Sequence, residues 1–216
     1  MIRSGQYTGL VAARRTPEPA DRRRDAERAR GRLLDAALEE FAAKGFAGAR
    51  VREIAARAGL NQQLISYYFG GKAGLYQALQ NRWNDASTAI NQPGAALTDV
   101  VVAFLHAGLA NPAWTRLLVW QNMTDNPTGL SNQDLMTGMA DDLRRRQQTG
   151  ELATDLDPTY LALVLFAAAA APTILPAVTR SITGLDPASP RFERTYATQL
   201  AALIGHLSLP DGPETS

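Results

Sequence analysis

The segment VREIAARAGLNQQLISYYF, residues 51–69, splits at Gly59 into two short helical patterns. In Val51–Ala58, Ile54 and Ala55 fall on the inward side, and the small Ala55 lets a second helix cross closely. Gly59 stands where the connecting turn needs a positive φ, which glycine adopts without steric cost. Leu60 and Ile65 plug the angle between the two helices. The second pattern, Gln62–Phe69, turns Gln62, Gln63, Ser66 and Tyr67 outward. These are short or flat hydrogen-bonding groups suited to base edges and phosphates. Arg50, Arg52 and Lys72 flank them with the positive charge that dominates affinity for a nucleic-acid backbone. The segment is a helix-turn-helix.

Working outward, Leu34, Ala37, Leu38 and Phe41 recur at i, i+3, i+4 and i+7, the stripe of a first helix ending near Lys44-Gly45. Before it, residues 1–27 set Arg14, Arg15 and the run Arg22–Arg24 among prolines and acidic residues without apolar periodicity. A disordered basic arm is expected there. After it, a fourth helix is expected over about Lys72–Ile90, with Leu75, Leu79 and Trp83 on one side. Gln92-Pro93-Gly94 then closes a unit spanning 28–91.

A second unit, 92–209, is also helical and precedes a disordered tail, 210–216. Leu97, Val100, Val101, Phe104 and Leu105 form one stripe, and Pro112 opens a helix carrying Trp114, Leu117, Leu118 and Trp120. Residues 131–149 place Leu135, Met136, Met139 and Leu143 inward. They end in Arg144-Arg145-Arg146, expected in solvent at a helix C-terminus, as Asp141-Asp142 are on their helix face. Asp157-Pro158 starts a long helix over about 158–178, and Tyr196, Leu200, Leu203, Ile204 and Leu207 mark a last one over 189–208. No β alternation bounded by hairpin turns occurs, so the fold class is all-α. Residues 159–178 carry no charge and are long enough to span a bilayer, but seven of the twenty are alanine and they contain Pro172 and Pro176. A buried core or dimer helix accounts for them better than a membrane does.

The net charge of +1 conceals a division. Residues 1–82 carry 15 Lys/Arg against 8 Asp/Glu, whereas residues 83–216 carry 7 against 13. An anionic partner belongs at the front only. The chain has no cysteine, which excludes disulfides, thiolate metal sites and a cysteine nucleophile. The first residues lack a signal-type apolar run, so a cytoplasmic location is expected. The only histidines, His106 and His206, have no metal-ligand spacing near them. Gly71-Lys72 is followed by Ala73 where a phosphate loop needs Ser or Thr. No enzyme activity, cofactor or metal is expected.

Leu34–Lys44 followed by Gly45-Phe46, then Arg52-Glu53-Ile54-Ala55, Ala58-Gly59 and Ile65, Tyr68-Phe69, Lys72 and Leu75 in register resemble the DNA-binding domain of TetR-family regulators. The resemblance covers about residues 28–82. It departs at Ala49-Arg50, where the family has a capping Thr, and at Ser66 and Tyr68, where Tyr and His are common and approach the DNA backbone. It implies that Lys72 contacts a phosphate at the start of the fourth helix.

The resemblance also implies a homodimer on a palindromic DNA operator, its two recognition helices about 34–36 Å apart in successive major grooves. The last two long helices would form the dimer interface, with Leu161, Leu165, Ala168, Leu200, Leu203 and Leu207 as candidates. Repression released by a small apolar effector follows from the same family pattern. A pocket is expected within 97–177, with Phe104, His106, Trp114, Trp120, Met123, Met139 and Phe166 as its candidate wall. The alternative is a constitutive DNA binder without a ligand.

Overall fold

The computed structural model describes residues 19–92, 94–123 and 133–208. The described residues form α1 (Pro19–Gly48), α2 (Val51–Ala58), α3 (Gln63–Phe69), α4 (Lys72–Ile90), α5 (Leu97–Ala110), α6 (Pro112–Met123), α7 (Gln133–Gln148), α8 (Pro158–Ile174), α9 (Pro176–Thr183) and α10 (Pro190–Gly205). No strand occurs among them. Two apolar cores organise the chain. The first gathers Leu33, Ala37, Phe41, Ile54, Ile65, Leu75 and Leu79 from α1–α4, and it extends into α6 through Ala113 and Leu117. The second joins Leu97, Val101 and Leu105 of α5 to Leu143 of α7, Leu161 and Leu165 of α8, and Leu200 and Ile204 of α10.

The arm expected to be disordered through residue 27 is helical from Pro19 onward. Proline suits a first helical turn, and the Ala, Arg, Asp and Glu that follow include strong helix formers. Asp21 pairs with Arg24 at 3.8 Å and Asp25 with Arg28 at 3.4 Å, both one turn apart. The remainder of that arm, Pro93, the first residues of the expected 131–149 helix and the 210–216 tail lie outside the described residues, as does the side chain of Leu135. α1 kinks at Gly45, whose φ of 66° and ψ of 174° are non-helical. A Cβ there would sit 3.0 Å from the Trp120 ring, so this glycine serves both the kink and the approach of α6.

The long helix expected over 158–178 stops at Ile174 and turns by 93° into α9. Pro176 has no N–H to continue the ladder, and it opens the next helix at its own first turn. Pro172 lies inside α8 and leaves the Ala168 carbonyl without its i+4 donor. The Tyr196 hydroxyl of α10 donates to that carbonyl at 2.9 Å, and burial raises the phenol's pKa. The last helix ends at Gly205, leaving Leu207 in the turn beyond it. No single helix among the described residues is long and apolar enough to cross a membrane.

The arginine run at the end of α7 divides, against expectation. Arg144 and Arg145 are exposed, but Arg146 is only 4% exposed. Its Nε donates to Asp142 Oδ2 at 2.7 Å, one terminal nitrogen meets Glu151, and the other donates to the Ala95 carbonyl at 2.6 Å. Asp142 likewise leaves the solvated face assigned to it, at 17% side-chain exposure. The tertiary turn that carries the 94–96 connector over α7 supplies the buried partners that an isolated helix end would lack.

Candidate DNA-binding face and effector cavity

The α2–α3 turn closes as a left-handed cap. Gly59 adopts φ 61° and ψ 39°, and the Leu60 and Gly59 amides donate to the Ala55 and Ala56 carbonyls at 3.0 Å. Arg32 of α1 donates to the Ala58 carbonyl and ties the turn to the first core. The Asn61 side chain accepts from the Gln63 amide at 2.8 Å and starts α3. Ile65 is buried, whereas Gln62, Gln63 and Ser66 are exposed and Tyr67 is 79% exposed. Tyr68 is half-buried against the core, and the Arg30 guanidinium lies 5.9 Å from its ring and 5.3 Å from that of Phe69.

Arg50, Arg52, Gln62, Ser66 and Lys72 line a single cleft together with Ala49, Val51, Ile65 and Gly71. Gln63, Tyr67 and Tyr68 are not part of its lining. Two helix N-termini border this cleft, and neither α2 nor α4 has a side-chain cap. At α2 the residue at the cap position is Arg50, whose cation opposes the dipole of its own helix. Unsatisfied amides beside three cations form a place for an anion. Lys72 is held in advance, its Nζ donating to the Ala47 carbonyl at 3.2 Å and lying 4.8 Å over the Phe46 ring. Partial desolvation lowers its pKa. Arg52 pairs with Glu53 at 2.8 Å and holds that carboxyl below its usual range.

A second concavity of about 100 Å³ lies between α4, α5, α6, α7 and α8. Of the seven candidate wall residues, Phe104, Trp114, Met139 and Phe166 line it. The other three do not. His106 of α5 contacts Glu193 of α10, Nδ1 to Oε1 at 2.6 Å. Trp120 packs on Gly45 and donates from Nε1 to the Ala42 carbonyl at 3.1 Å, joining α6 to α1. Met123 is 79% exposed. All three lie on apolar helical patterns, which mark a buried face without saying what covers it. The sequence reading missed Trp83, Asn91, Met136 and Asp142 on the wall. By sequence, Trp83 and Asn91 fall in the front unit, and the carboxylate on a solvated helix face.

The candidate interface residues are placed unevenly. Leu161, Leu165 and Leu200 are buried in the second core, and Ala168 and Leu207 pack against it. Only Leu203 is exposed. The exposed apolar side chains of α8–α10 include Tyr160, Leu163 and Val164 on α8, Val178 and Ile182 on α9, and Leu203 on α10.

The chain matches the family model for bacterial regulatory proteins of the tetR family over residues 33–79. It also matches that for a tetracyclin repressor-like C-terminal domain over residues 96–202. It is 29% identical over 166 residues to the HTH-type transcriptional repressor SCO4008 of Streptomyces coelicolor, covering 74% of this chain and 86% of that protein. It is 27% identical over 122 residues to the HTH-type transcriptional repressor NicS of Pseudomonas putida, covering 53% and 58%. Among solved structures, the putative transcriptional regulator SCO4942 of Streptomyces coelicolor superposes with a TM-score of 0.68 at 27% identity, covering 82% of this chain and 97% of that one. With a helix-turn-helix at its front, a helical second domain behind it and a family match on each, the chain belongs to the tetR family of bacterial transcriptional regulators.

Proposed function

We propose that the chain is a homodimeric, cytoplasmic repressor that grips a two-fold operator and releases it when a small molecule enters the α4–α8 cavity. The observation that carries the DNA reading is the cleft in which two uncapped helix N-termini meet Arg50, Arg52 and Lys72. A phosphate seated there satisfies the orphan amides and offsets the like-charged cap. Gln62, Gln63, Ser66 and Tyr67 then face the major groove, with Tyr68 beside them at the backbone.

Release is supported by shared helices. α6 presents Trp114, Thr115 and Leu118 to the cavity, yet its Ala113 and Leu117 belong to the first core. α4 likewise carries Lys72 at one end and Trp83 in the cavity wall. A ligand that pushes α4 or α6 therefore shifts the spacing of the two DNA heads without touching them. The dimer reading rests on the uncovered apolar row of α8–α10, which a second copy would bury.

The test is anisotropy titration of the full chain on DNA flanking its own gene, with mass measured by light scattering. A dimer that binds a two-fold site, and that a cavity ligand releases, is the expected result. A monomer binding a single half-site tightly overturns the dimer reading. Affinity unmoved by any ligand that occupies the cavity favours the constitutive binder.

A further inference from the structure

We infer that the cavity selects a compact organic cation, an amine on a small apolar or aromatic body, with the Asp142 carboxylate as its anchor. The inference rests on the proposed ligand-sensing role of the cavity and names the chemistry that role requires.

Among the described residues, Asp142 is the only ionisable side chain on a wall otherwise built from apolar groups, Asn91, Thr115 and glycine. Its two oxygens each hold one arginine, Oδ1 with Arg145 and Oδ2 with Arg146. A carboxylate has about four lone-pair sites, so each oxygen retains an acceptor site for a ligand N–H. Arg146 does not turn the site toward anions. Its guanidinium lies off the cavity wall, with its nitrogens on Asp142, Glu151 and the Ala95 carbonyl. An anion entering the cavity would meet the carboxylate, and among the described residues no cation lines the wall, Arg145 and Arg146 reaching Asp142 from outside it.

The aromatic walls favour the same choice. Trp83 and Trp114 stand 5.4 Å apart at 37°, a tilted pair of indole faces, and Phe104 and Phe166 add two more rings. Ring faces attract a desolvated cation, and a buried ammonium needs both that and a counter-charge. The volume limits size. About 100 Å³ is less than the roughly 150 Å³ cavity that accepts benzene, so a one-ring amine requires the adaptable Met136 and Met139 to give way. Binding also touches a connection outside the cavity. An ammonium on Asp142 competes with Arg146, whose other contacts are Glu151 and the Ala95 carbonyl in the link between α4 and α5.

The experiment titrates the full chain with benzylamine, benzyl alcohol and benzoate, three one-ring probes differing in the charge of the polar end. Quenching of tryptophan fluorescence is the readout, since two of the three tryptophans line the cavity. Benzylamine should bind at least about tenfold more tightly than benzyl alcohol, and benzoate weakest, as expected for a charge-assisted bond to Asp142. Asp142→Asn should erase the amine's advantage while leaving benzyl alcohol within about threefold. Should that variant fail to fold, the order of the three probes on the unmodified chain still decides. Ala170→Leu, which narrows the cavity from α8, should abolish quenching by the amine. Benzoate or benzyl alcohol binding as tightly as benzylamine overturns the cation assignment and leaves the sensing role standing. Amine quenching that survives Ala170→Leu overturns it too, by placing the amine elsewhere. Binding by none of the three overturns both.

Discussion

The ammonium of Lys72 is restrained by the Ala47 carbonyl and the Phe46 ring, so a phosphate at the cleft meets a cation already in place. Its pKa is lowered by partial burial, and an anion nearby favours the charged form and reverses that shift. Lys72→Ala should weaken binding to operator and random DNA alike, and should lower the log–log salt slope by about 0.9 if one phosphate contact is lost. Gln63→Ala should behave differently, losing about 1–3 kcal/mol on the operator and little on random DNA. Titrations of both variants across salt concentration separate the two roles, and an unchanged slope for Lys72→Ala removes it from the interface. The outward row of α3 is legible in sequence because a two-turn helix pinned by Gly59 has one buried residue, Ile65, and the 3.6-residue period then orients the rest. Asp142 is not legible, since its partner Arg146 is buried by a connector from another part of the chain.

At the scale of the helix, α7 and α8 each contain a group whose environment contradicts its local pattern. Arg146→Ala should cost about 1–3 kcal/mol, because it leaves Asp142 Oδ2 and the buried Ala95 carbonyl without their donor while Arg145 stays on Oδ1. Arg144→Ala, two residues earlier and exposed, should stay within about 0.5 kcal/mol. Urea denaturation of the two variants checks the contrast, and equal effects would return Arg146 to the solvated face. In α8, Tyr196→Phe leaves the Ala168 carbonyl without a donor and should cost about 1–3 kcal/mol. With Pro172→Ala in the background, the new amide at 172 supplies that bond, and the same change should cost less by at least about 1 kcal/mol. A double-mutant cycle reads the coupling, and additive costs would mean that the tyrosine does not substitute for the proline's missing donor.

For the whole molecule, the proposed dimer turns on which side of α8 would meet a second copy. Leu163 is 64% exposed and lies beside Tyr160 and Val164, whereas Leu200 is buried in the chain's second core. Leu163→Glu should therefore give a folded monomer by light scattering, with helical circular dichroism retained and operator affinity lost. Leu200→Glu should instead lower the melting temperature or prevent folding, since it buries a charge without a partner. A dimeric Leu163→Glu protein of wild-type affinity would move the interface away from this face.

The all-helical class, the helix-turn-helix at 51–69 and the starts of most helices are legible in the sequence, because they follow from apolar period, proline position and glycine conformation within a few residues of chain. The reach of α1 back to Pro19 and the break of the apolar run at Ile174 were missed, although the helix formers and Pro176 that explain them are local. Which apolar residues become wall, core or uncovered surface depends on how the helices pack. Leu161, Leu163 and Phe166 share one uncharged helix, yet the first is core, the second exposed and the third on the cavity. A helix apolar on every side has no moment to orient it, so its neighbours assign its faces.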